Sequence, residues 1–246
     1  MTTALVLAGS RGGIDPVAAY AGVTDKALIE IGGRTMLARV VDALRAAGMT
    51  RILVSTASAP VIDHARALGV EPIAAGTGPS ASARIAFAAA GAPLLVTTGD
   101  HPLLRADWID AFLRDTPADA DVAALLARRE SIDRDAPKTA RTYLRFADGD
   151  WSGCNLFLLA TPAAAGALDL WERVERDRKR PWRIVRRLGI VLLIRYALGR
   201  LTLAEGLARI GAVAGARAAL VACASGLAAI DVDKPADLDF VRSLIA

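Results

Sequence analysis

Apolar runs of strand length alternate with helical repeats along the first two-thirds of the chain, and this alternation constrains the fold more than any other feature. Ala4 to Ala8 predicts a strand that ends in a glycine-rich turn. Thr35 to Ala47 places Met36, Leu37, Val40, Val41 and Leu44 at helical spacing, with Gly48 as the stop. The same rhythm predicts a strand at Arg51 to Ser55, a helix at Pro60 to Leu68, a strand at Val70 to Ala74 and a helix at Ser80 to Ala90. A fourth strand, Pro93 to Thr97, runs directly into Gly99-Asp100. Strands separated by helices imply βαβ units and a mainly parallel sheet. Right-handed crossovers then gather the strand C-termini on one edge, where open sheets bind ligands.

The pattern changes after about residue 115. Asp121 to Ala127, Thr142 to Ala147 and Trp151 to Leu159 predict strands of a mixed or antiparallel extension, with Asp148-Gly149-Asp150 as a turn. Residues 163 to 211 read as almost wholly helical, and they contain the basic stretch from Arg173 to Arg187. Ala218 to Ala222 and Leu227 to Val232 predict strands, and Pro235 to Ile245 a closing helix. We expect one domain over residues 1–246, with residues 163–215 as a helical insertion. With 54% hydrophobic residues among 246, the chain can bury a core without disulfides. Aromatics are only 5%, too few for stacking on nucleic-acid bases, so no nucleic-acid partner is expected. The net charge of +4 is a mild excess that fits an anionic small substrate or an acidic membrane face. Cys154 and Cys223 read as reduced thiols. No apolar run reaches the length of a spanning helix, and the N-terminus lacks the basic flank of a signal peptide, so a cytoplasmic protein is expected.

Four motifs carry chemistry. In Leu7-Ala-Gly-Ser-Arg-Gly-Gly13 the glycines let backbone N–H groups approach phosphate oxygens, and Arg11 adds a charge; an ordinary βα turn is the competing reading. The loop is neither a Walker A sequence nor a dinucleotide fingerprint. In Asp25-Lys-Ala-Leu-Ile-Glu-Ile-Gly-Gly33, Lys26 returns towards the end of the first strand. There it can neutralise a triphosphate, or else stand as a solvated surface charge. Asp100, at the end of an apolar parallel strand, points into the ligand crevice; as a cap for the helix predicted near Arg105 to Leu113 it lies too early. In Ala229-Ile-Asp-Val-Asp-Lys-Pro-Ala-Asp-Leu238, Asp231 and Asp233 share one face of the predicted strand. Asp233 fits either a cap ahead of Pro235 or, with Asp100, a Mg²⁺ site of the kind that holds polyphosphates.

These four pieces, in this order, resemble the nucleotidyltransferases with a MobA-like fold. That family's pattern is a Leu-Ala-Gly-rich loop, Pro-Lys-x-Leu-x-x-x-Gly-Gly, Gly-Asp-x-Pro-Leu and a late Asp-x-Asp-x-Pro-x-Asp-Leu. The likeness covers about residues 1–115 and 225–246. It implies a three-layer α/β/α nucleotidyltransferase fold (GT-A/Rossmann-like), mostly parallel, and Mg²⁺-dependent transfer of NMP from an NTP, CTP or GTP favoured, onto a small phosphorylated or alcohol acceptor with pyrophosphate leaving. Carried onto matching positions, Leu7, Ala8, Gly9, Ser10, Gly12 and Gly13 cradle the triphosphate, while Lys26 and Arg11 meet charge at the reacting phosphorus. Asp100 and Asp233 hold Mg²⁺, with Asp231 a weaker ligand. Thr77, Gly78 and Ser82, in the stretch from Gly76 to Ser82, stand where family members contact base and ribose; a serine cap on the following helix explains Ser82 equally well. Gly153, Asn155 and Lys138 are acceptor-site candidates, with Asn155 alternatively an edge or turn residue. The family's proline before the lysine is Asp25 here, and its Gly-x-Gly-x-Arg order becomes Gly-Ser-Arg-Gly-Gly.

The stretch from Arg173 to Arg187 has no family counterpart. A buried helical subdomain is its favoured reading, ahead of a solvated face, an acceptor-phosphate site or contact with anionic lipid beside Ile190 to Leu198. Two rival functions remain open from sequence: a nucleotide-sugar-dependent glycosyltransferase on a related fold, and a non-catalytic nucleotide-binding protein.

Overall fold

A computed structural model describes residues 2–9, 12–13, 15–137, 139–177 and 189–245. Its spine is an eight-stranded sheet built from β1 (Thr3–Leu7), β4 (Arg51–Thr56), β5 (Glu71–Ala74), β6 (Leu94–Thr98), β7 (Val122–Arg128), β8 (Leu144–Phe146), β9 (Gly149–Leu159) and β10 (Ala218–Cys223). The order is β10-β7-β9-β6-β1-β4-β5, with β8 paired to β9 off this path. β1 runs parallel to β4 and β6, β4 to β5, and β10 to β7, whereas β9 is antiparallel to β6, β7 and β8. The long reversed strand therefore brings its N-terminal half to the edge where its neighbours end. β2 (Glu30–Ile31) and β3 (Arg34–Thr35) form a separate small hairpin.

Alternation along the strands sorts their side chains into two layers. Ala4, Val6, Ile52, Val54 and Leu95 face α2 (Met36–Ala46), α3 (Ala59–Ala67) and α5 (Ala106–Asp115), packing against Val41, Leu44, Val61, Ile109 and Phe112. Leu5, Leu53, Leu94 and Val96 face the other way, onto Ala83 and Ala86 of α4 (Pro79–Ala90) and Leu168 of α7 (Ala164–Asp177). The chain is thus the expected α/β/α sandwich. A third apolar cluster, with Ile29, Ile31, Met36, Ile230, Val232, Leu238 and Val241 among its members, binds the β2–β3 hairpin to the C-terminal helix α10 (Pro235–Ile245).

Two helices of the described chain were not predicted: α1 (Pro16–Tyr20) and α6 (Arg129–Asp135). The first carries a legible signal, since Asp15 accepts from Val17 and Ala18 N–H ahead of proline at the first turn. Between 163 and 215 lie α7, α8 (Ile190–Ala197) and α9 (Leu203–Ala214); of the basic stretch, residues 178–187 fall outside the described residues.

The strand predicted at Leu227 to Val232 is absent. Gly226–Ala229 is a 3-10 turn, and Ile230 to Val232 run extended without a ladder. The alternating apolar side chains are real, but they enter the third cluster rather than a sheet. The turn is anchored by close approach: a Cβ at Gly226 would collide with Ser131 O and stand 2.5 Å from Ile132 N. Gly226→Ala is accordingly expected to cost about 1–3 kcal/mol by overpacking, read as a lower denaturant midpoint at constant m-value.

Candidate active site

β1 and β6 end side by side. Gly99 N donates to Leu7 O at 2.9 Å, and a Cβ on Gly99 would lie 3.3 Å from that of Ala8. Leu7 and Ala8 are half-buried at this edge, and Gly9 is exposed. Gly12 and Gly13 adopt φ of +79° and +82°, with open space before each. Only glycine holds that backbone without strain, and it leaves N–H groups uncovered. Ser10 and Arg11 lie outside the described residues.

Lys26 opens the 3-10 turn Lys26–Leu28, and the buried Ala27 and Ile29 fix its direction. Its ammonium is not a solvated surface charge. Nζ lies 2.6 Å from Asp100 Oδ2 and 3.2 Å from Asp233 Oδ1, and the lysine side chain is 21% exposed. Burial works to lower the Lys26 pKa, but the two carboxylates outweigh it and raise it above its ordinary value. Burial likewise pushes Asp100 up, and the Lys26 charge and hydrogen bond reverse this, leaving Asp100 below the ordinary carboxylate range. Oδ1 of Asp100 is buried and meets no hydrogen-bond partner among the described residues. Asp100 caps no helix, since α5 begins after Arg105. Beside it His101 is fully buried, and burial takes its pKa down to about 4, so the imidazole is neutral.

Asp233 comes to this place by its backbone. Val232 N donates to Asp100 O at 2.9 Å, and Asp237 Oδ2 accepts from the N–H groups of Asp233 and Lys234. Asp237, and not Asp233, therefore closes the start of α10. The other oxygen of Asp237 accepts from Arg141, whose second nitrogen meets Asp231 Oδ1. Arg141 is only 7% exposed. Asn155 Nδ2 completes the group by donating to Asp231 Oδ2 at 2.8 Å.

Asp231, the weaker of the expected metal ligands, is tied to protein groups in this structure. Both of its oxygens are engaged, one by a guanidinium and one by an amide, so it holds neighbours in place. Burial, with Asp233 and Asp100 nearby, raises its pKa. Arg141 and Asp237 were missed as site residues. Asp237 was legible as the third aspartate of the late motif, whereas Arg141 sits among scattered basic residues with no spacing to mark it.

The remaining candidates divide. Asn155 has φ +49°, and the β7–β9 register shifts between Ala124 and Leu126, a bulge that re-aims its side chain onto Asp231. Gly153 is exposed with open space before it, and Lys138 lies outside the described residues. Thr77 and Gly78 follow β5, two strands from β1 and so about 10 Å along the same edge. Ser82 is neither a helix cap nor turned outward. It is 5% exposed and its hydroxyl accepts from Gly76 N at 2.9 Å, so it shapes the loop, while Gly78 occupies the cap position. Glu175 of α7 faces this loop: it accepts from Ser80 N at 3.2 Å, and a Cβ on Gly78 would collide with its Oε1.

A glycine loop at a parallel sheet edge and a lysine held between two carboxylates together make the candidate active site of an α/β protein. The chain belongs to the MobA-like NTP transferase domain family, whose model matches residues 4–191, and it is a nucleotidyltransferase. That match runs through the middle of the chain, where no resemblance was read, and stops short of the late aspartates that the fold returns to Lys26. A hypothetical transferase structure from Thermus thermophilus is 31% identical, with a TM-score of 0.82 over 96% of this chain and 98% of that one. A nucleotidyl transferase from Methanothermobacter thermautotroptrophicus (19% identity, TM-score 0.57, 100% and 97% covered) shares the fold. So does a CMP:2-keto-3-deoxy-manno-octonic acid synthetase complexed with CTP (19% identity, TM-score 0.58, 99% and 97% covered). Among curated proteins none matches the chain.

Proposed function

We propose that this nucleotidyltransferase moves NMP from CTP or GTP onto a small phosphorylated or alcohol acceptor, with Mg²⁺, and releases pyrophosphate. The observation that carries the reading is the Lys26 ammonium shared by Asp100 and Asp233 beside the glycine loop. The whole chain acts as one catalytic domain in this reading, with 163–215 as an insertion, because β1 and β10 belong to a single sheet.

The residues present fit a divalent ion. Asp100 keeps a buried oxygen without a partner, and it and Asp233 already draw one cation between them. No group of three or more ligating side chains occurs among the described residues. Two carboxylates suit Mg²⁺, which takes few protein ligands and completes its shell with phosphate oxygens and water. When bound, the ion neutralises charge on the phosphate oxygens that receive it. Gly9, Gly12 and Gly13 offer backbone N–H groups to the triphosphate, with Leu7 and Ala8 as the wall beneath it and Ser10 assigned to it by position in sequence. Lys26 supplies a fixed positive charge where negative charge grows in transfer, and Arg11 is the second cation by position in sequence. An acceptor oxygen attacks the α-phosphorus as the α–β bridging bond breaks, so the protein needs no nucleophile of its own. Thr77 and Gly78 stand for base and ribose. Gly153, Asn155 and Lys138 stand for the acceptor, Lys138 by position in sequence alone; a cavity of about 340 Å³ lined by Thr139, Lys234, Asp237 and Phe240 among others lies beside the Arg141 fork that Asn155 joins through Asp231.

A thermal-shift panel of ATP, CTP, GTP and UTP with Mg²⁺ tests this. One nucleotide at about 100 times its Kd adds roughly 2.7 kcal/mol, about 5–11 °C for a domain of this size. CTP or GTP is expected to give the largest shift, abolished by EDTA. A flat response to all four overturns the proposal, and binding without pyrophosphate release on addition of acceptors points to the non-catalytic alternative.

A further inference from the structure

Helix α4 cannot cap itself. Gly78 holds the cap position and has no side chain, and Pro79 has no N–H, so Ser80 offers the first donor of the helix. Glu175 of α7 answers it across the fold. Its Oε2 accepts from Ser80 N at 3.2 Å and from the Ser80 hydroxyl, and Ser80 is buried. A carboxylate thus stands where the helix dipole is positive. Its Oε1 lies over Gly78, in space that any side chain at that position would claim. The Gly78 backbone is extended, with φ −167°, which every residue adopts. Glycine is needed there to make room for Glu175, not for backbone freedom.

The rest of α7 sets where Glu175 falls. Asp169, Glu172 and Glu175 are three residues apart and share one face of the helix. Arg84, one turn beyond Ser80 on α4, takes the first two: its Nη2 lies 2.6 Å from Asp169 Oδ1 and 2.9 Å from Glu172 Oε2. Leu168 packs below them against Ala83 and Ala86. This clamp delivers Glu175 to the start of α4. The Ser82 hydroxyl ties the same loop from within, at Gly76 N, so the stretch is held at two points with the exposed Thr77 between them. We propose that Glu175 is a positioning residue for the nucleoside half of the NTP: it fixes the loop from Gly76 to Ser80 in the shape that meets base and ribose. The proposal rests on the reading of Thr77 and Gly78 as base and ribose contacts. The loop stands two strands from β1, about 10 Å along the sheet edge, so Glu175 acts on it and not on phosphates held at the glycine loop. A loop ordered before the nucleotide arrives loses less freedom on binding. Helix α7 thereby serves substrate binding as well as covering the sheet.

Calorimetric titration of the full chain with CTP, GTP and inorganic tripolyphosphate, each with Mg²⁺, tests the proposal. Glu175→Ala is expected to weaken the preferred nucleotide about tenfold, the worth of one hydrogen bond to a charged group. Tripolyphosphate should bind as before, because it has no base or ribose for the loop to meet. Glu175→Gln, whose amide oxygen still accepts from Ser80 N, should recover most of the nucleotide affinity. Should Glu175→Ala fail to fold, Glu175→Asp, one methylene short of Ser80, carries the comparison. Unchanged nucleotide binding overturns the proposal. So does equal weakening of nucleotide and tripolyphosphate, which would leave Glu175 a role in the fold alone. A native chain that binds neither CTP nor GTP overturns the underlying reading as well, and that failure is told apart because it shows before any substitution is made.

Discussion

Asp100→Asn is expected to lower kcat for pyrophosphate release by about 100- to 1,000-fold, the loss typical of removing one preorganised electrostatic contact at a reacting centre. The carboxylate is held below its ordinary pKa and is therefore ionised at neutral pH, with one oxygen on Lys26 and the other unpartnered. An amide keeps the shape and removes the charge. Lys26 then retains Asp233 alone, at 3.2 Å. Lys26→Met should produce a loss of the same order from the opposite sign of charge. The pair separates roles when KM and kcat are measured as Mg²⁺ is titrated. Asp100→Asn should shift the Mg²⁺ dependence to higher concentration, whereas Lys26→Met should lower kcat at saturating metal. Near-native turnover in either variant removes that residue from the centre of the site.

Arg141→Ala is expected to destabilise the fold by about 3–5 kcal/mol, because it strands two buried carboxylates that share one guanidinium. For a chain of this length that corresponds to a fall in Tm of about 6–20 °C. Lysine should not restore it, since a single ammonium cannot fork to Asp231 and Asp237. Activity should fall further than folding alone explains. Asp237 also receives the N–H groups of Asp233 and Lys234, so loosening Arg141 frees the segment that brings Asp233 to Lys26. An unchanged melting temperature in Arg141→Ala would show that the two carboxylates find other partners.

The contrast between these residues explains what could be read in the sequence. Asp100 and Lys26 were legible because each sits at a point where local pattern breaks: a strand ending in glycine, or a loop returning to an apolar run. The sheet was legible for the same reason, since each strand and helix announces itself over a few residues. Ile230 and Val232 misled because alternation reports which side chains are buried, not whether a neighbouring strand is free to pair. Arg141 was invisible as a site residue. Its importance comes from partners 90 and 96 residues away, and no local spacing encodes that. Ser82 was singled out for its position and proves to brace a loop. Glu175 belongs to a helix whose own sequence gives no hint that it faces Gly78 and Ser80.

The segment carrying Asp233 reaches Lys26 without joining any strand. It is moored by one main-chain bond to Asp100, by the apolar cluster around Val232 and by the Arg141 fork. Its opening therefore need not await rupture of the sheet, and small cooperative units of this kind release before a core does. Mild denaturant should disarm the enzyme while its secondary structure still reads as native. The amides of Val232 and Lys234 should then exchange with deuterium well ahead of those in β1.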